Sequence, residues 1–403
     1  MAVVRHDIYA RLGVRRVVNA RGVNTMAGGS LMAPAVLDAM VEAAGSFVDM
    51  VELNAQVGAC IAELTGADAA TVTAGSAAGM LVAAAACMAG TDPARVRQLP
   101  DTTGLPDELL IQRCQRFQYD QALRTSGAHL VEAGDADGCT DEQLEAAISE
   151  RTAALVYVVY PPLGHRGRSV GQMVEIAHRH DLPLIVDAAS ALPPLRHLRH
   201  WTDLGADLVI FSGGKGVRGP AGTGFILGRP DLIAAASANS APNTAIGRVC
   251  KVGKEEIVGL VTALELFLDH DHAAEWQRHL AEARLLARAV ADVPGLRARV
   301  VEHDDLWPSP ATLIRFDQAI SGLTPGGVME MLKRGDPPIL VRLYPPNDPD
   351  AELCIDPHCL QDGEAELVAR RLRQSVERRL IPFPAHRSGA TVSSREHLNG
   401  ASE

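Results

Sequence analysis

Four stretches between residues 153 and 228 are apolar along nearly their whole length: AALVYVVYPP (153–162), LPLIVDAAS (182–190), ADLVIF (206–211) and GTGFILG (222–228). A strand that is apolar on both faces needs cover on each side. That is the situation of a parallel or mixed sheet sandwiched between helices. The segment SVGQMVEIAHRH, between the first two runs, has the periodicity of such a covering helix. The pattern predicts an α/β fold, and 403 residues are enough for a large domain and a smaller one.

After Gly228 the pattern changes. KEEIVGLVTALELFLDHD and AAEWQRHLAEARLLARAVAD read as two consecutive long helices, the second suited to link the domains. Short strands then alternate with a helix near TPGGVMEMLKRG, and EAELVARRLRQSVERRL closes the pattern. The expected division is a large domain with an N-terminal arm over 1–270 and a linking helix with a small α/β domain over 271–383. The polar, aperiodic stretch 384–403 is expected to be disordered.

Thirty-eight Lys and Arg against 49 Asp and Glu leave a net charge of -11, which argues against a broad nucleic-acid or anionic-membrane surface. Arg5, His6 and Asp7 interrupt any apolar signal core, and the longest apolar run, near 79–90, is too short to span a bilayer. Seven irregularly spaced cysteines are not a disulfide framework, so reduced thiols and a cytoplasmic location are expected. Cys354, His358 and Cys359 in CIDPHC lack a second cluster at zinc-ligand spacing, and packing is the better reading.

The third run ends in SGGKG, where Lys215 is the one ionisable side chain among Ser212, Gly213, Gly214 and Gly216. A nucleotide P-loop would need Ser or Thr after the lysine, and Gly216 stands there; nor does a GxGxxG follow an early strand. A lysine can instead condense with a carbonyl, provided that its surroundings let it lose a proton. Pyridoxal-phosphate chemistry adds three demands: an acid for the ring nitrogen, a phosphate cradle and a group against the ring face. Asp187 closes the strand LPLIVD, 28 residues before Lys215, at the sheet edge where open α/β sheets bind ligands. Upstream, TVTAGSAAGM runs from a strand through Gly75, Ser76 and Ala77 into a helix, whose N-terminus is a ready anion site.

The combination of IVDAAS, FSGGKGVRGP, TAGSAAGM and NSAPNTAIGRVCKVGKEEIVGL resembles the selenocysteine-synthase-like branch of the fold type I pyridoxal-phosphate enzymes, which holds selenium transferases and ammonia-lyases. The resemblance runs from RVVNARG near residue 16 through GDPPILVRL into the final helix. It implies an aspartate-aminotransferase-like fold, pyridoxal 5'-phosphate as cofactor and an active site built at a homodimer interface. By the same resemblance Lys215 bonds the cofactor aldehyde, Asp187 meets the pyridine nitrogen, and Gly75, Ser76, Ala77 and Ser212 hold the phosphate.

Relatives often place a histidine against the ring; IQRCQRFQYD puts Gln115 there, and a glutamine carries no proton at neutral pH. Arg342, in PPILVRLYPP, stands where the small domain of such enzymes offers an arginine to the substrate carboxylate, which a guanidinium matches bidentately. A surface ion pair is the competing reading of that arginine. Arg248 and Lys251 serve a cofactor or substrate phosphate or else a plain surface, and Arg21 and Asn24 are candidates for the substrate entrance. The expected activity is abstraction of an amino-acid α-proton, with α,β-elimination first and racemisation, transamination or β-replacement as alternatives. Modification of an aminoacyl-tRNA ranks lower, because a tRNA site needs basic surface and extra N-terminal sequence; a cofactor-free binding protein ranks below that.

Overall fold

The computed structural model describes residues 7–160, 166–302 and 309–377; the stretch 384–403 expected to be disordered and the prolines closing the 153–162 run lie outside the described residues. The large sheet is built from β1 (Ala69–Thr73), β2 (Glu108–Gln112), β3 (His129–Ala133), β4 (Thr152–Val158), β5 (Leu184–Asp187), β6 (Leu208–Ser212) and β7 (Gly224–Gly228). Their spatial order is β1-β7-β6-β5-β4-β2-β3. Every neighbouring pair is parallel except those of β7, which runs antiparallel to both β1 and β6. Residues 213–223, the link from β6 to β7, are too few for the crossover that a parallel partner requires, so the chain turns back on itself and carries Lys215 on the turn.

Side chains alternate between two cores. Leu155, Val186, Val209 and Phe211 enter the one covered by α1 (Pro34–Ala44), α2 (Met50–Thr65), α4 (Val170–Arg179) and α5 (Lys254–Asp269). Val156, Ile185, Leu208 and Ile210 enter the other, with α3 (Gly75–Ala89). Almost every residue of α3 from Ala78 onward is buried, which is why its sequence is apolar all round.

The second unit has an antiparallel sheet of order β10-β11-β9-β8, from β8 (Leu296–Val301), β9 (Ala311–Phe316), β10 (Arg342–Tyr344) and β11 (Glu352–Ile355). Its core joins Leu286 of α6 (His272–Arg288), Val328 of α7 (Pro325–Lys333) and Val368 and Leu372 of α8 (Glu364–Glu377). The expected division near residue 270 falls between α5 and α6. The arm differs from the expectation that grouped it with the large domain: Val18–Asn19 pairs in parallel with Ile339–Leu340, and Val18 and Ala20 bury themselves in the small-unit core. Val18 and Ala20 of RVVNA find their partners some 320 residues downstream, a pairing that local pattern does not encode.

Candidate active site

Three chain segments meet at the carboxyl edge of β5 and β6. Asp187 is the last residue of β5, 5% exposed, and its Oδ1 accepts from the Ala189 amide at 3.0 Å. Burial pushes its carboxyl pKa up, opposed by that amide and by Lys215. Lys215 sits in the turn after β6, half-buried; burial pushes its amine pKa below the usual lysine value, and Asp187 opposes the shift. Each group thus acts electrostatically on the other, as the parallel placement of their strands predicts. The turn is closed by Arg218 N donating to the Lys215 carbonyl at 3.0 Å and Gly219 N to the Gly213 carbonyl at 2.8 Å. Arg218 holds φ at +60° there and pairs with Glu275 of α6 at 2.6 Å.

The start of α3 is open. Its N-cap, Ala74, offers no side-chain acceptor, and a Cβ on Gly75 would meet nothing within 4 Å. Ser76 is half-buried and Ala77 exposed, and among the described residues no side chain caps the start of this 15-residue helix. Ser212 pairs with Gly224 of β7, and a Cβ at Gly224 would stand 2.7 Å from the Gly75 carbonyl carbon and 2.9 Å from Ser76 N. Only glycine lets β7 approach the helix start so closely, and this brings Ser212 beside it. A cavity of about 420 Å³ next to this helix start is lined by Thr73, Ala74, Ala78, Arg248, Lys251 and Lys254 among others. Arg248 and Lys251 are exposed at its wall.

Gln115 is 2% exposed; its Oε1 accepts from Val158 N at 3.3 Å, and its side chain also hydrogen-bonds Tyr157. It is therefore pinned to β4, the strand beside Asp187. Arg342 Nη2 lies 3.4 Å from Asp356 Oδ2, its guanidinium 5.9 Å from the Tyr344 ring, and it acts electrostatically on Tyr160 just past β4. Arg21 meets Asp356 through a backbone bridge, and its buried Nε lacks a hydrogen-bond partner among the described residues. The Asn24 side chain caps residues 25–27, accepting from Met26 N at 2.9 Å, and its backbone bridges Gly29, where a Cβ would lie 2.9 Å from the Gly214 carbonyl oxygen of the lysine turn.

Two residues escaped the sequence reading. Ser190 Oγ accepts from Lys215 Nζ at 2.8 Å. Asp356 joins Arg342, Ser309 Oγ and His358 N. Ser190 stands in the quoted VDAAS, where a small polar residue in a turn carries no signal; Asp356 was masked by the cysteines and histidine of CIDPHC.

The model of the SelA family, L-seryl-tRNA selenium transferase, matches residues 17–304. D-glucosaminate-6-phosphate ammonia lyase of Salmonella typhimurium is 35% identical over 92% of this chain and 98% of its own. A solved structure of D-glucosaminate-6-phosphate ammonia-lyase superposes with a TM-score of 0.77 over 93% of this chain and 99% of that one. A Streptomyces 5'-C-glycyluridine monooxygenase-decarboxylase is equally similar, 35% identical over 91% of each chain. Serine palmitoyltransferase of S. paucimobilis, at 16% identity and a TM-score of 0.59 over 90% of this chain, shares the fold. The chain belongs to the SelA family and has the α/β fold of the fold type I pyridoxal-phosphate enzymes.

Proposed function

We propose that the protein is a pyridoxal-phosphate enzyme that removes the α-proton of a small or hydroxylated amino acid and expels a β-substituent, an elimination of the ammonia-lyase type. The observation that carries this reading is Asp187 at the end of β5 and Lys215 on the turn that follows the adjacent parallel β6, each acting electrostatically on the other beside an uncapped helix start. The residues fit the cofactor. Asp187 is a buried carboxylate suited to a cationic ring nitrogen, Lys215 is an amine whose pKa burial lowers, and the amides of Gly75, Ser76 and Ala77 with Ser212 and the basic cavity wall suit a phosphate. Gln115 is assigned to the ring face.

When bound, the cofactor supplies an aldehyde that captures amines and a ring that takes up the electron pair left on the α-carbon. Arg342 binds the substrate carboxylate, with Arg21 beside it, and Arg248 receives a distal anionic group of the substrate or the cofactor phosphate. Lys215, freed by the incoming amine, takes the α-proton at Nζ; its lowered pKa keeps more of it in the basic form. Gln115 cannot return a proton, so Lys215 passes the one it holds to the leaving group on the same face. Both departures then occur from the lysine side. Asp187, a buried carboxylate, would hold the ring nitrogen in its protonated, cationic form, the form that accepts the electron pair.

Assembly follows the same reading. Met26, Leu31, Val41, Phe47 and Val51 expose apolar surface within the first 51 residues, an area suited to a second copy of the chain, and at least a homodimer is expected. The net charge of -11 disfavours tRNA. All seven cysteines are free, in keeping with a cytoplasmic enzyme. No described helix is long and apolar enough to cross a membrane.

The test is incubation with D- and L-amino acids, β-hydroxylated and phosphorylated ones and D-glucosaminate 6-phosphate included, in deuterated water. Keto acid with stoichiometric ammonia and no amino acceptor supports elimination. Keto acid that needs an acceptor, or α-deuterated amino acid of inverted configuration, overturns it for transamination or racemisation. The equal similarity to the monooxygenase-decarboxylase supports a second reading, oxygen-dependent decarboxylation, which oxygen uptake with release of carbon dioxide would establish instead.

A further inference from the structure

We propose that Ser190 is a positioning residue for Lys215, whose hydroxyl holds the free amine in the orientation from which it moves a proton. This rests on the assignment of Lys215 as the base. Lys215 Nζ and Ser190 Oγ are 2.8 Å apart, and both residues are half-buried. Ser190 is rigidly placed. The turn after β5 is closed by Ala191 N on the Ala188 carbonyl at 3.0 Å and by Ala189 N on Asp187 Oδ1, so one turn fixes both the carboxylate and the hydroxyl. The lysine turn is locked to the same segment, because a Cβ on Gly216 would overlap the Leu192 carbonyl oxygen.

A hydroxyl suits this task in both protonation states. It accepts from the ammonium and donates to the lone pair of the amine, so the contact survives each proton transfer. A carboxylate at that distance would instead favour the charged lysine and blunt the base. Among the described residues Asp187 is the charged group that acts on Lys215, and it already supplies that pull.

The test compares S190A and S190T with the wild type. Lys215 in the unloaded protein is labelled with trinitrobenzenesulfonate from neutral to alkaline pH and followed by peptide mass spectrometry, a readout independent of cofactor and substrate. S190A is expected to label at lower pH, since the ammonium loses an acceptor, and its holoenzyme to lose roughly tenfold or more in kcat with little change in KM. S190T, which keeps the hydroxyl, is expected to restore both. A wild-type labelling profile in S190A, or an S190T whose profile is displaced to lower pH as far as that of S190A, overturns the proposal. A displaced profile in S190A with S190T restored upholds the contact even where no elimination is found, so failure of the reaction reading remains separable.

Discussion

Two charged pairs three residues apart along the chain have opposite fates. Arg218 and Glu275 close an ion pair at 2.6 Å; burial alone would push the Glu275 carboxyl up, but the guanidinium outweighs it and holds the pKa at about 2. Lys215 and Asp187 are not brought into such contact. For both of them burial dominates, drawing the lysine down and the carboxyl up, each toward its neutral form. The satisfied pair ties the lysine turn to α6, the helix that leads into the small unit. Lys215 and Asp187 keep separate partners, Ser190 Oγ at 2.8 Å and Ala189 N at 3.0 Å, and in the function proposed above they are the reactive pair. In that proposal rigidity falls to Arg218 and reactivity to Lys215, two side chains of one turn.

The comparison breaks most visibly at Lys215. K215A is expected to lose turnover by about 10²–10⁴-fold or more, the range for a positioned acid–base group, while its fold persists by circular dichroism. D187N keeps shape but removes the charge, and a loss of roughly 10²–10³-fold in kcat is expected. At the phosphate end, G224A places a methyl against Gly75 and Ser76 and is expected to weaken cofactor affinity about tenfold or more by absorbance titration. On the satisfied side R218A leaves Glu275 without its close partner; a loss of about 1–3 kcal/mol in denaturant unfolding is expected, with a smaller fall in kcat than any change at Lys215.

The smallest effect is a difference in sign with pH. Glu275 has a folded pKa below its ordinary value, so its contribution is full above 4.5 and is lost as pH falls toward about 2. E275Q should flatten that acid loss. Asp187 has a raised folded pKa, so the unloaded protein gains stability as pH falls through that value toward 3.8, and D187N should abolish the gain. Thermal unfolding across acidic pH checks both; parallel responses of the two variants would dissolve the contrast.

Where the determinants are local, the sequence was informative. Continuous apolar runs marked β4 to β7, and the 28-residue interval between Asp187 and Lys215 matched one helix-and-strand excursion, which sets the two residues at the ends of adjacent strands, Lys215 on the turn just past β6. The glycine-rich start of α3 was legible for the same reason. What stayed hidden depends on partners distant in the chain: the 57-residue span from Arg218 to Glu275, the arm at Val18 docking on Ile339, and Asp356 collecting Arg342 and Ser309. Gln115 was read by position, yet its anchoring to Val158 and Tyr157 needs the register of β4. Ser190 was invisible because a serine in a turn is ordinarily only a turn residue.

The central claim is that Lys215 bears the cofactor. Protein purified with pyridoxal phosphate, reduced with borohydride, digested and mapped by mass spectrometry tests it directly. The account predicts visible absorbance that reduction abolishes and a single pyridoxyl adduct on Lys215. An adduct on another lysine, or a K215A protein that keeps a reducible chromophore, would contradict it.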